Sequence, residues 1–443
     1  MLGKRGRRAT LKRKMLGPHD LARKRAAASQ TLPLPPSIES LDWLASRPGV
    51  REALRFFARE RRWIDEQHLQ LCRIPAPTFF EQKRAEWMAA QLAAMGWDAQ
   101  VDRAGNVTAQ LDPEDRHGPL VAVTAHLDTV LAPKAPEDIR VDGRDKFRGP
   151  GVADNGAGLA GLLAIARAVS CQPRLPFGLS NLLLVANVGE EGEGNLSGMK
   201  FLCRQSPFAA RLRSVLVLDG PDTAHITAEA LACRRFEVVV NGPGGHSWSD
   251  HGAANPIHAL ARAITWYNDT RAEEAPRQRA SSWNFGVIDG GSTVNAIPAS
   301  ARVKVDLRAE LSPDLDDLVN SLSVIVERAL LAENERALSG RVTGRIRETG
   351  ARPGGRLADD APILGYMRAV DTHLSIRSHL DCASTDANVP LSMGLPAISI
   401  GAGGQGGGAH TTSEWYSTEG RELGLRRALL MICLLLAETG RSE

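Results

Sequence analysis

From Val121 to Val130 the chain reads Val-Ala-Val-Thr-Ala-His-Leu-Asp-Thr-Val. The apolar half reads as a buried strand. Its carboxyl end delivers His126 and, two residues on, Asp128. Side chains two apart on a strand share a face, so this pair emerges together. A histidine beside a carboxylate is a metal ligand with its orienting partner, half of a catalytic triad, or a purely structural pair.

The pattern recurs. Residues 181–188, Asn-Leu-Leu-Leu-Val-Ala-Asn-Val, form a near-continuous apolar run that marks a strand covered on both faces of a parallel sheet. It runs straight into Gly189-Glu190-Glu191-Gly192. Residues 214–218 predict a further strand, with Asp219 immediately after it. Residues 396–400 predict another, followed by a Gly-rich loop over 401–408 and then His410. That loop can offer backbone N–H groups to an anionic substrate end, or serve as a connector. Ligands of open α/β sheets bind beyond the carboxyl ends of the strands. Four strands each place a ligand-type residue there, and Asp154, on the loop entering a helix over 159–169, can reach the same crevice. Asp154 reads equally as the N-cap of that helix, and the 190–193 stretch as a solvated acidic loop.

Around this core, residues 40–70 predict two helices, 80–95 a third, and 361–373 and the C-terminal stretch two more. Over 234–348 the order changes to strand, helix, strand, strand, helix, strand, that of a ferredoxin-like split unit. The predicted architecture is therefore α/β: a central sheet flanked by helices and interrupted by an inserted α+β domain. Its segments are 1–37 (basic tail and Pro linker), 38–233 and 349–443 (the two parts of the body), and 234–348 (the insert).

The 443-residue chain has a formal charge of +3, but its first 25 residues carry ten Lys/Arg and one Asp. The remaining 44 Lys/Arg face 50 Asp/Glu, so the folded part is mildly acidic. This argues against a nucleic-acid surface. The basic segment lacks a following apolar stretch of the secretory kind. It reads as a disordered tail or as sequence upstream of the true start, Met15 or later. Six scattered cysteines without a Cys-x-x-Cys fit reduced thiols and a cytoplasmic protein. The longest apolar run, 428–437, is half of what spans a bilayer, so no membrane partner is expected.

His126, Asp154, Glu191, Asp219 and His410 combine two imidazoles with three carboxylates. That set suits zinc, cobalt or manganese. Five side chains exceed one tetrahedral ion and suffice for two if a carboxylate bridges. Two divalent ions, three carboxylates and a hydroxide sum to zero charge, which a crevice can bury. Glu190 is left over beside Glu191, and its natural role is general base.

Taken with Asp128 and the insert, these residues resemble the two-zinc aminoacylase, glutamate carboxypeptidase and peptidase T family over about residues 40–440. The resemblance implies a zinc-exopeptidase-type mixed sheet with a lid and dimerisation domain. It implies that His126 and Asp219 hold one ion, Glu191 and His410 the other, and that Asp154 bridges them. Asp128 would orient His126, and Glu190 would act on the water between the metals. A cis peptide is expected at Asp154–Asn155. His246, in Gly242-Pro-Gly-Gly-His-Ser, resembles the lid histidine that reaches a partner subunit's site, although it also reads as a turn residue. Asn295 and Arg308 resemble the substrate-binding asparagine and arginine, and Arg308 can grip a carboxylate bidentately. The implied protein is a homodimer. Asp219, the run to Lys200 and the stretch from His410 to Tyr416 resemble the peptidase T-like branch. That branch implies a di- or tripeptide aminopeptidase, with an N-acyl-amino-acid deacylase as the alternative. A non-catalytic peptide or amino-acid binder is a remote third reading.

Overall fold

The computed structural model describes residues 38–111, 118–171, 175, 179–274 and 281–439. The basic tail and Pro linker expected over 1–37 lie outside them. Residues 40–70 form three helices rather than two: α1 (Ile38–Ser46), α2 (Pro48–Arg59) and α3 (Arg61–Cys72). Pro48 causes the extra break. It brings no N–H, and it holds Arg47 in an extended conformation at the start of α2.

The body is built on a nine-stranded mixed sheet. Its strands are β1 (Asp98–Val101), β2 (Val107–Gln110), β3 (Leu120–His126), β4 (Leu182–Asn187), β5 (Leu212–Leu218), β6 (His225–Ala230), then, after four lid strands, β11 (Gly355–Arg356), β12 (His379–Ala383) and β13 (Ala397–Ile400). The spatial order is β1-β2-β4-β3-β5-β13-β6-β11, with β12 also on β6. The central four, β4, β3, β5 and β13, run parallel, so their carboxyl ends lie side by side.

Alternation along these strands feeds two cores. Val121, Val123, Leu182, Leu184, Leu216 and Leu218 join one cluster, with α4 (Gln82–Ala94), α5 (Gly156–Ser170) and α11 (Arg421–Thr439). Leu120, Ala122, Leu183, Val185, Val215 and Val217 join the other, with α6 (Ser197–Arg204) and α10 (Asn388–Ser392). This is the period-two reading of a strand covered on both faces. Each fully buried Leu or Val contributes about 1.5–3 kcal/mol. The apolar stretch 428–436 of α11 is wholly buried against this sheet, and no helix among the described residues is long and apolar enough to cross a membrane.

The insert is a four-stranded antiparallel sheet of β7 (Ala232–Asn241), β8 (Ser281–Gly290), β9 (Ser300–Ala309) and β10 (Thr343–Arg352), in the order β8-β9-β7-β10. Helices α7 (Pro256–Glu274) and α8 (Ser312–Arg336) cover it through their own core, which includes Val238, Val303, Leu318 and Tyr267. This is the ferredoxin-like lid that the element order predicts. Helix α9 (Pro362–His373) returns the chain to the body, where Arg427 grips Asp371 at 2.6 and 2.7 Å in a buried bidentate pair.

A small sheet of residues 140–142, 146–148, 405–407 and 415–417 lies beside the main one. The Gly-rich loop is therefore not a flexible connector, and at Ala402 and Gly403 its amides are engaged within the protein rather than open to an anionic ligand. Residues 401–404 are buried, and the amides of Ala402 and Gly403 donate to Gly220 and Asp222 carbonyls. A Cβ at Gly404 would lie 2.4 Å from the Tyr416 hydroxyl, so close packing requires glycine there. All six cysteines are free thiols.

Candidate metal centre

β3 ends at His126, two residues before Asp128. The two side chains therefore do not simply stack as strand neighbours. The His126 imidazole meets the Asp128 carbonyl through Nδ1 at 2.9 Å, and its carboxylate only at 3.6 Å. That leaves the Asp128 carboxylate to moor the next loop. It accepts the backbone N–H groups of Glu190 and Glu191, each at 2.9 Å, and the Thr78 hydroxyl at 2.9 Å.

The opposite loop is moored in the same way. Glu414 accepts N–H groups from Gly151, Ala153 and Asp154 at 2.7–2.9 Å. The peptide between Asp154 and Asn155 is cis. The N-cap of α5 is Asn155 rather than Asp154. Its Oδ1 accepts from Gly158 and Gly220, and its Nδ2 donates to the Leu218 carbonyl. Asn155 thus ties the Asp154 loop to the end of β5, and Asp154 is left to point into the crevice.

There, Asp154 divides its oxygens. Oδ1 lies 3.1 Å from His126 Nε2, and Oδ2 lies 3.1 Å from His410 Nε2. His410 Nε2 also meets Glu191 Oε1 at 2.9 Å, and His126 Nε2 lies 3.6 Å from Asp219. One carboxylate therefore stands between two His–carboxylate pairs. Donor atoms of His126, Asp154 and Glu191 all fall within 4.8 Å of one another.

Electrostatics agrees with a cation site. Burial alone would lower the pKa of His126, but the Asp128, Asp154 and Asp219 carboxylates outweigh it and raise it well above the ordinary value. Hydrogen bonds to Asp154 and Glu191 raise His410 to about 10. Burial would raise Asp154, yet its two histidine partners hold it well below the usual carboxylate range. Three converging carboxylates demand positive charge, and two imidazoles with a shared carboxylate match two divalent ions. The donor set fits.

Glu190 sits deeper. Burial pushes its pKa well up, and the Arg352 guanidinium opposes that. Arg352 Nη1 reaches Glu190 Oε1 at 2.9 Å and Ser384 at 3.1 Å, while Nη2 donates to the Glu190 carbonyl. Further back, Asn187 donates to Asp386 at 2.7 Å, and burial raises the Asp386 carboxyl to about 7. Thr78, Arg352, Asp386, Asn155 and Glu414 are the supports that local sequence pattern does not single out. Only Glu414 carries a signal, its place in the stretch that follows His410.

A cavity of about 320 Å³ opens over these groups, lined by the five donors, Glu190, Val130, Gly192, Ser384 and three arginines. All three stand on strands of the insert, Arg235 on β7, Arg308 on β9 and Arg352 at the end of β10. Arg308 and Arg235 flank Asp306 at 2.6 and 2.9 Å, and Arg235 also donates to the Gly192 carbonyl. His246 and Asn295 are not among the residues lining this cavity. They are exposed on the lid, where His246 pairs with Ala296 in a short ladder and Ser247 N–H meets the Asn295 carbonyl at 3.0 Å. His246 Nδ1 accepts the amides of Trp248 and Ser249 at 3.2 and 3.4 Å, which leaves Nε2–H to donate.

Residues 233–334 match the Peptidase dimerisation domain, and residues 106–233 match Peptidase family M28. Among curated proteins, a probable carboxypeptidase of Aspergillus terreus is 26% identical over 275 residues, covering 56% of this chain and 60% of that one. A succinyl-diaminopimelate desuccinylase of Burkholderia mallei is 25% identical over 264 residues, covering 56% and 69%. The chain spans about half the length of the curated relatives it matches first, 60% of one and 46% of the next. A solved tripeptidase from Staphylococcus aureus has the same fold, with a TM-score of 0.67 at 18% identity, over 85% of this chain and 98% of that one.

Proposed function

Because the chain fits the two-zinc peptidase and deacylase family, we propose that it is a two-metal hydrolase of amide bonds in small peptides, acting as a di- or tripeptide aminopeptidase. The observation that carries this reading is the division of the Asp154 oxygens between His126 and His410. His126 and Asp219 would hold one ion, Glu191 and His410 the other, and Asp154 would be shared. Zinc, cobalt or manganese suits these donors. Bound there, divalent ions would polarise the scissile carbonyl and acidify water.

The chain's own residues supply the rest. Glu190 takes the proton of the attacking water and passes it to the departing amine. Burial raises its pKa above the ordinary carboxylate value, the direction a proton-accepting carboxylate needs. Asp128 keeps Glu190 and Glu191 in place through their backbone amides. Arg308, whose Nε alone is engaged by Asp306, turns its terminal nitrogens to a substrate carboxylate. His246 and Asn295 act from a second subunit, in line with the match of the lid to a dimerisation domain. There the Nε2–H of His246 donates to the developing oxyanion.

The same site would serve an N-acyl-amino-acid deacylase. The pair Arg308 and Arg235, suited to anionic acyl groups, and the desuccinylase relative favour that second reading. Hydrolysis after chelation and add-back of zinc, cobalt or manganese separates them. Metal-restored cleavage of free di- and tripeptides supports the peptidase, and the products identify the trimmed end. Cleavage of N-acetyl and N-succinyl amino acids alone supports the deacylase. Inactivity on both overturns the proposal.

A further inference from the structure

The turn Pro75-Ala-Pro-Thr-Phe-Phe-Glu81 lies between the two loops that carry His126 and Glu190. Pro77 bridges to Thr129, and Thr129 N–H donates to the Ala76 carbonyl at 3.0 Å. Thr78 reaches Asp128 on one side. On the other, its methyl lies 2.7 Å from where a Gly194 Cβ would sit. Glu81 accepts Gly189 N–H at 3.1 Å, and Phe80 N–H closes the turn on Pro77 at 2.8 Å. The turn is pinned at both ends.

Two consecutive aromatic rings stand on this pinned turn and are not buried. Phe79 is 63% exposed and Phe80 73% exposed. Phe79 also adopts a φ of +76°, which a bulky side chain reaches only at an energetic cost. Beside them, Val130 and Leu131 follow the bridged Thr129, and both are exposed. Val130 is the one apolar side chain among the described residues lining the metal-centre cavity. The Pro77–Thr129 bridge thus sets the turn that carries Phe79 and Phe80 against the segment that brings Val130 to the cavity, although the two rings are not themselves among the residues lining it. Exposed apolar residues that cluster beside a cavity mark a ligand surface.

We infer that Phe79 and Phe80, with Val130 and Leu131, form the subsite that receives an uncharged apolar side chain, aliphatic or aromatic, of the substrate beside its scissile amide. The inference rests on the amide-hydrolase reading for the identity of the ligand. Arginines then read the anionic end, and the aromatic turn reads the side chain.

The test uses the full metal-loaded chain and two readouts. The first is kcat/KM on substrate pairs that differ only in one side chain, Leu or Phe against Gly or Glu. The second is calorimetric titration with the free and N-acetylated amino acids themselves. The wild type is expected to favour Leu and Phe at least tenfold in both. The double variant Phe79→Gly, Phe80→Ser is expected to lose about tenfold of that preference, expressed in KM and in binding. Glycine suits the backbone at position 79, so Phe79→Gly alone should keep or raise the melting temperature while weakening the preference. A double variant with unchanged preference, or a wild type that binds Gly or Glu as well as Leu, overturns the inference. So does a change of oligomeric state with the preference intact, which would assign the rings to a contact between copies. Selective binding without turnover of any amide would keep the subsite and reject the hydrolase reading.

Discussion

The body and the lid hold their polar residues in opposite ways. In the body, the candidate donors His126, Asp154 and Glu191 are aimed by groups behind them. Asp128 and Glu414 each bind backbone amides of a donor loop, and Asn155 ties the loop that Glu414 holds to the end of β5. In the lid, His246 and Asn295 stand exposed on a two-residue ladder, outside the cavity of their own chain. The candidate donors all lie in the body of one chain, and the lid adds Arg235 and Arg308 to their cavity but not His246 or Asn295. A buried and moored site can be judged from one chain. An exposed donor becomes interpretable only with its target.

The sharpest way to break this contrast is to disable each side separately. Glu190→Gln is expected to keep both metals, measured by elemental analysis, and to lose about 10²–10⁴ in kcat. Retained turnover would remove Glu190 as the base. His246→Ala is expected to cost about 10²–10³ in kcat with metal content intact. Mixing the two variants after dissociation tests the contrast directly. If His246 serves its partner, heterodimers carry one intact site, and a 1:1 mixture should recover about a quarter of wild-type activity. No recovery would put His246 back in its own protomer, or out of catalysis.

Arg352 sits where the two regions meet, as the last residue of β10, and its ion pair with Glu190 is buried on both sides. Arg352→Gln strands the Glu190 charge and should cost about 3–5 kcal/mol in denaturant unfolding. Adding Glu190→Gln should restore much of that loss. If the double variant is as unstable as the single one, the pair is not the reason.

The smallest effect expected belongs to the body alone. His68 is buried against Phe147 and Tyr416, with Nε2–H on the Val152 carbonyl at 2.7 Å. Burial, aided by Arg421, lowers its pKa from 6.5 to about 3. Above pH 6.5 the imidazole is neutral whether the chain is folded or not, and it contributes no slope. Between pH 6.5 and 3 only the unfolded chain takes the proton, so stability falls as the pH falls. His68→Gln should flatten the melting-temperature profile in that window. An unchanged profile would show that other groups govern it.

The same contrast explains what could be read without the structure. Three of the candidate positions, His126, Glu190–Glu191 and Asp219, follow an apolar run, because a strand buried on both faces leaves its chemistry at its end. His126, Glu190, Glu191 and Asp219 were legible for that reason. The lid was legible from element order, because the two strand–helix repeats are local. The supports were not. Glu414 lies some 260 residues from the amides it binds, and Arg352 lies 162 from Glu190, so no local spacing links them. Asp154 was read as a possible cap because Asn155, the actual cap, has the same chemistry one residue later. Two exposed phenylalanines in a Pro-rich turn carry no periodicity at all.

The lid leaves and re-enters the body through neighbouring strands. Cys233 pairs with Arg352, and three residues further out Ala230 pairs with Gly355 in the main sheet. Partners across such a ladder lie only about 5 Å apart. The whole insert therefore hangs from one two-stranded ribbon, and its ends could be joined by a tight turn without disturbing β6 or α9. In the history of a gene, one in-frame splice at this ribbon would add or remove the lid and leave the donor loops standing. The insert and the body can thus be inherited as separate parts.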